Sequence, residues 1–138
     1  MNNLNRGTVF VRKISPETIL EDYSWLLQKA KVSENFDKSI NTFLKVNISW
    51  DRYYPGCSTA PWQLEGVIKE LLKNNFSNIT AAHNGTVVVD PERGRTENKH
   101  KNIEEKYNIP HILVDSPESE AIAYKPKKKL LVFCSQKE

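Results

Sequence analysis

The chain has 138 residues, of which 38% are hydrophobic and 27% are charged. This length and balance predict one folded domain and exclude a wholly disordered chain. The formal net charge of +3 is too small and too mixed for a nucleic-acid-binding protein, and no run approaches the ~20 apolar residues of a membrane span.

Cysteine usage and the N-terminal sequence bear on the compartment and on cofactors. Only Cys57 and Cys134 are present, and they are too far apart to suggest a metal site. The start of the chain, MNNLNRGTVFV, has no apolar signal-peptide core. We therefore expect a cytoplasmic protein without a resident metal or another evident cofactor.

The first third of the chain predicts a strand, a helix and a loop. Residues 8–14 (TVFVRKI) are typical of a strand, and Ser15-Pro16-Glu17 is typical of a helix start. Apolar residues then recur at helical spacing from Ile19 to Ala30, which predicts one buried helix face. Residues 31–42 break this pattern and predict a loop.

The middle of the chain has the strongest local pattern. Residues 43–49 (FLKVNIS) predict a second strand, and residues 61–73 predict an amphipathic helix that Asn74-Asn75 ends. A third strand is expected at residues 78–83. Asn84-Gly85 then indicates either a hairpin or a sharp extended turn, which we favour, or a loop at the carboxyl end of a central strand.

The remaining segments continue the alternation of predicted strands and helices. Residues 91–100 predict a polar loop, residues 98–107 a short helix, and HILVDS another strand. EAIAY and KLLVFCS predict two further strands joined by the lysine-rich run 125–129, which reads as a solvated turn rather than a phosphate-binding patch. This order predicts a three-layer α/β domain with a mostly parallel sheet. No helix follows the last strand, so residues 1–138 read as a single domain that is the N-terminal half of a larger one.

The connection after the second strand, SWDRYYPGCSTA, is the candidate ligand site. Ligands of open α/β sheets gather beyond the carboxyl ends of the strands, and an eleven-residue loop at residues 50–60 is long for this connection. Cations, an amide and hydroxyls there suit an anionic small molecule. The expected ligand-binding residues are Lys45, Asn47, Arg52, Ser58 and Thr59.

The same loop has a simpler interpretation. Ser58 or Thr59 would only cap the following helix, and the aromatic residues would cover an edge of the core or contact a partner. Cys57 is a weak candidate for a reactive thiol, because no base accompanies it in the sequence. His83 reads as a structural histidine, and His100 and His111 read as surface residues.

Residues 40–115 also resemble the domain-of-unknown-function family numbered 362. The resemblance rests on Lys45-x-Asn47 in a strand, Pro55-Gly56 in the loop, and Ser58-Thr59-Ala60-Pro61 before the helix. It implies an α/β fold without a settled reaction, and an iron–sulfur segment that two cysteines cannot supply here.

Two functions are therefore predicted. The first is an enzyme-like protein with an anionic small-molecule site, although the sequence identifies no catalytic residue and no reaction. The second is a non-catalytic module that forms a homodimer, or pairs with a missing second half, through exposed aromatic residues at positions 50, 53, 54 and 62.

Overall fold

A computed structural model describes residues 7–86 and 88–115. It has five helices and three strands: α1 (Ile19–Lys29), α2 (Val32–Asn35), β1 (Thr42–Lys45), α3 (Pro61–Lys73), β2 (Ile79–His83), α4 (Pro91–Glu97), α5 (His100–Lys106) and β3 (His111–Leu113). The predicted strands EAIAY and KLLVFCS, the lysine run 125–129 and Cys134 lie outside the described residues.

The three strands form one parallel sheet in the order β1-β2-β3. Leu44 pairs with Ala81, and Ala82 pairs with both Lys45 and Ile112, so β2 has a partner on each edge. Helices connect successive strands, which confirms the predicted α/β fold with a parallel sheet. The second helical layer and the larger domain stay predictions.

The core lies on one face of the sheet. Consecutive right-handed crossovers in the same direction place their helices on the same side, and α3 contacts α5 there. The apolar residues that fill this layer include Val46, Ile48, Leu64, Ile68, Leu71, Phe76, Ala81 and Ile103. The opposite face carries the exposed side chains of Phe43, Lys45 and Ile112.

Helix α3 forms where its pattern predicts it. Pro61 occupies the first turn, where its missing N–H costs nothing. Leu64, Ile68 and Leu71 are buried at helical spacing, and Asn75 adopts the left-handed conformation just beyond the end (φ 66°). The predicted bounds of this helix are confirmed.

Gly66 allows α1 and α3 to approach closely. A Cβ atom on Gly66 would lie 2.7 Å from the Cβ of Tyr23 on α1. Because the Tyr23 Cβ is fixed to the helix backbone, it can move only if α1 moves.

We therefore expect Gly66→Ala to lower the free energy of unfolding by about 1–3 kcal/mol, although alanine favours a helix by about 1 kcal/mol over glycine. Urea unfolding measures the change. Gly56→Ala is the matched control, because nothing lies within 4 Å of a Cβ there. Gly66→Ala with wild-type stability would contradict the close contact.

The predicted first strand at residues 8–14 is wrong. These residues join no strand of the described sheet, and Val9 and Val11 are exposed. Arg12 instead donates to Asp22 of α1 at 2.8 Å and lies over the Trp25 ring. Alternation is typical of a strand, but these contacts tie the segment to a helix.

Two helix boundaries near the N-terminus also differ from prediction. α1 begins at Ile19 with Thr18 at the N-cap, because residues 16–18 form a turn closed by a bond from Thr18 N to Ser15 O. The predicted loop at residues 31–42 contains the single-turn helix α2. Its entry residue Lys31 is left-handed (φ 54°), which separates it from α1.

The hairpin at Asn84-Gly85 is wrong as well. Both edges of β2 already pair with parallel strands, so no antiparallel partner fits, and Thr86 and Val89 form only an isolated bridge. The predicted polar loop at residues 91–100 is largely helix α4. Asp90 caps this helix by accepting from Arg93 N at 2.9 Å, ahead of Pro91 in the first turn.

Candidate functional site

The long loop after β1 is fastened to the strand that precedes it. Strand pairing ends at Lys45, and residues 47–49 then lie beside residues 57–59. Thr59 N donates to Asn47 O at 2.8 Å, and Asn47 N donates to the Thr59 hydroxyl at 2.9 Å. The loop therefore closes on itself at its base.

Ser58 and Thr59 serve this closure and do not cap α3. Ser58 Oγ accepts from Ser49 N at 3.2 Å, while the N-cap of α3 is Ala60, without a side-chain cap bond. The expected alternative role of Ser58 or Thr59 as a helix cap is therefore wrong. As acceptors in these bonds, both hydroxyls keep a proton of their own to donate.

Asn47 lies in the centre of the closed base. Its side-chain amide donates to Ser49 Oγ at 3.0 Å and to Cys57 O at 2.8 Å. Three of the five predicted ligand-binding residues, Asn47, Ser58 and Thr59, are thus brought together in one hydrogen-bonded group. Cys57 itself is exposed.

Lys45 and Arg52 lie outside that group, and both are exposed. Lys45 shares the open face of the sheet with Asn47, as strand alternation predicts, and its Nζ donates to Val46 O at 3.0 Å. Neither cation has a carboxylate within ion-pair distance among the described residues. The other described arginines each have one: Arg12 pairs with Asp22, Arg93 with Asp51, and Arg95 with Glu104.

Asn98 fixes the outer part of the loop to α4. This side chain is 1% exposed; its Nδ2 donates to Trp50 O at 2.8 Å, and its Oδ1 accepts from Tyr54 N at 3.3 Å. The ion pair between Arg93 and Asp51 adds a second tie at 3.5 Å. The backbone of residues 50–54 is therefore held at both ends.

A largely buried chain of polar side chains connects β2, β3, α5 and α4, and the sequence did not predict it. His83 Nδ1 lies 2.6 Å from His111 Nε2, and His111 Nδ1 lies 2.8 Å from Glu104 Oε1. Arg95 Nε donates to Glu104 Oε2 at 2.6 Å. We call His83, His111, Glu104 and Arg95 the histidine chain.

The expectation that His100 and His111 are surface residues is wrong. His100 is fully buried on α5, and its Nε2 donates to Thr59 O at 2.6 Å, which joins α5 to the base of the loop. The His111 side chain lies between Glu104 and His83. Register between β2 and β3 brings these groups together, and sequence spacing alone gives no signal of it.

Glu104 determines which proton His111 donates. Because the Glu104 carboxylate is an acceptor, His111 donates to it from Nδ1. Between His111 Nε2 and His83 Nδ1 either nitrogen can be the donor, depending on the tautomer. His83 Nε2 is buried and has no hydrogen-bond partner among residues 7–86 and 88–115.

The surroundings oppose the charging of His83. Burial is the main cause that lowers the pKa of His83 to about 4, and the nearby charges of His111 and Lys45 act in the same direction. Burial also lowers the pKa of His100 against the opposing effect of the Thr59 carbonyl. Both imidazoles are therefore neutral at pH 7.

Glu104 stays ionised at the centre of the chain. Burial alone would raise its pKa, but hydrogen bonds from His111 and Arg95 outweigh burial and lower the pKa below its ordinary value. Glu92 holds the outer end of Arg95 at 3.0 Å. The carboxylate thus orients the whole chain.

Comparison with known proteins gives no family for this chain: no protein-family model, no curated protein and no solved structure matches it. The resemblance to family 362 stays a prediction. Within the described ranges, no group of three metal-ligating side chains occurs, and no helix is long and apolar enough to span a membrane.

Proposed function

We propose that the protein binds an anionic small molecule at the loop between β1 and α3. Lys45 and Arg52 neutralise its charge, and Asn47 orients a polar group. The hydroxyls of Ser58 and Thr59 donate to its oxygen atoms. The residues carry no reaction by themselves, so the proposal concerns binding.

The observation that carries this proposal is that Arg52, unlike the other described arginines, has no carboxylate partner among the described residues. Lys45 and Arg52 lack a carboxylate partner in the described part of the chain, whereas the other described arginines have one. The planar fork of a guanidinium matches phosphate and carboxylate. An anion would supply the missing counter-charge.

Thermal unfolding with phosphate and small carboxylates tests the proposal. At a hundredfold excess over Kd, a bound anion should stabilise the protein by about 2.7 kcal/mol. Arg52→Ala should weaken binding roughly 10- to 100-fold, because a charge-assisted hydrogen bond contributes about 1.5–3 kcal/mol.

Matched variants separate a specific site from general charge effects. Lys13→Ala removes an exposed cation outside the loop and should bind as the wild type does. Thr59→Ala should lose binding as Arg52→Ala does. Equal losses in Lys13→Ala and Arg52→Ala would mean that the anions respond only to net charge.

A second candidate is a protein-interaction module, favoured by the exposure of aromatic residues on the loop. Trp50, Tyr53 and Tyr54 are 55%, 48% and 57% exposed. Trp62 does not belong with them, because it is half-buried in a crevice with Ile14 and Ile19. Sedimentation velocity over rising protein concentration tests self-association: this candidate predicts a dimer that Trp50→Ala abolishes, and a monomer throughout contradicts the homodimer form.

A further inference from the structure

The aromatic side chains of the loop are presented without partners of their own. Trp50, Tyr53 and Tyr54 make no side-chain hydrogen bond, ring contact or cation–π contact with the described residues. Some other aromatic rings do have such partners. Trp25, for example, has Arg12 at 5.0 Å and Lys29 at 5.6 Å from its ring centre.

Their exposure is imposed by a fixed backbone. The buried Asn98 bonds to Trp50 O and Tyr54 N, and Asp51 between them pairs with Arg93. The backbone of segment 50–54 is thereby fixed, and its three rings are exposed. Because this backbone is already ordered, a ligand that stacks on the rings has less conformational freedom to restrict.

Arg52 lies in the same short segment as the rings. It is exposed, and no described carboxylate pairs with it. A guanidinium flanked by indole and phenol rings favours a ligand that carries negative charge and a flat π-face together. A bare anion would use only Arg52, and a neutral ring would use only the aromatic side chains.

We infer that the anion bound at this loop carries a planar ring, as a nucleoside monophosphate or an aromatic carboxylate does. Arg52 and the base of the loop hold the acid group, and Trp50 with Tyr54 stacks on the ring. This inference rests on the proposed anion site and specifies the class of its ligand. The second candidate function uses the same rings, so ligand and partner would compete for them.

Equilibrium dialysis of the full chain with three probes tests the inference: inorganic phosphate, adenosine and adenosine monophosphate. Stacking on one or two rings adds on the order of tenfold to a hundredfold in affinity. We therefore expect adenosine monophosphate to bind at least tenfold more tightly than phosphate, and adenosine to bind more weakly than adenosine monophosphate.

Substitution of an aromatic residue of the loop tests whether its ring provides the additional affinity for adenosine monophosphate. Trp50→Leu should remove much of the excess affinity for adenosine monophosphate over phosphate while leaving phosphate binding unchanged. Phe36→Leu, another exposed aromatic position, is the control and should change neither affinity. Circular dichroism and thermal unfolding verify that each variant is folded.

Each outcome separates this inference from the proposed function. Equal affinities for adenosine monophosphate and phosphate would overturn the ring inference and leave the anion site standing. Binding of adenosine without any contribution from phosphate would overturn both, since the site would then recognise rings alone. Absence of binding by all three probes would likewise overturn both.

Discussion

Glu104→Gln should lower the free energy of unfolding by about 3 kcal/mol, since it removes one partner of a buried ion pair. Glu104 is 1% exposed and accepts from two donors, Arg95 Nε and His111 Nδ1. A glutamine amide has one oxygen, so its NH₂ group must face one of these donors. Glu92 still neutralises part of Arg95, which keeps the loss near the lower end of the range for such pairs.

Urea unfolding measures this loss, with Glu105→Gln as the matched control. Glu105 is the exposed neighbour on α5 and should change stability by less than about 0.5 kcal/mol. The double variant Glu104→Gln/Arg95→Gln should recover part of the loss, because the stranded charge is then removed as well. A change of less than about 1 kcal/mol in Glu104→Gln would contradict a stabilising role of the histidine chain.

The second large effect is a loss of stability in mild acid. Burial and the neighbouring His111 and Lys45 lower the pKa of His83 from 6.5 to about 4 in the folded protein. Between these two values the unfolded chain takes up a proton that the folded protein resists. The contribution of neutral His83 to the free energy of unfolding is therefore fully present above about pH 6.5. It is lost as the pH falls toward 4, by about 3 kcal/mol in total.

His83→Asn isolates this contribution. The asparagine side chain can keep a hydrogen bond to His111 near the position of Nδ1, through its oxygen or its NH₂ group, but it cannot take up a proton. We expect urea unfolding of this variant from pH 8 to pH 4 to show a smaller acid loss by about 3 kcal/mol. The lowered pKa of His100 acts in the same direction and should remain. An unchanged pH profile in His83→Asn would assign the acid loss to other groups.

Local sequence patterns were sufficient where the structure depends on local interactions. Helix α3 ends where its apolar stripe and Asn75 predict, and β2 was found within one residue. Residues 8–14 show the limit of such patterns. Their alternation is typical of a strand, but a strand also needs a partner, and Arg12 binds α1 instead.

The candidate site also contains some features that local sequence patterns predict and others that depend on tertiary contacts. Lys45 and Asn47 lie on one face because strand alternation requires it. The role of the Ser58 and Thr59 hydroxyls could not be predicted, because it depends on residues 57–59 folding back beside residues 47–49.

The histidine chain was missed for the same reason. His83 and His111 meet only through the β2–β3 register, in which His83 pairs with Leu113 and Ala81 with His111. Asn98 looked like a helix residue in the sequence, yet its function here is to bind the loop 44 positions away at Tyr54.

Amide chemical shifts during a phosphate titration test the central claim most directly, because they both detect binding and locate it. The proposed site predicts saturable shifts of the amides of residues 45–49, 52 and 57–59 that Arg52→Ala weakens. Weak shifts that fail to saturate would contradict the site. So would saturable shifts confined to another cationic surface, such as the groove beside Lys69 and Lys73 between α1 and α3.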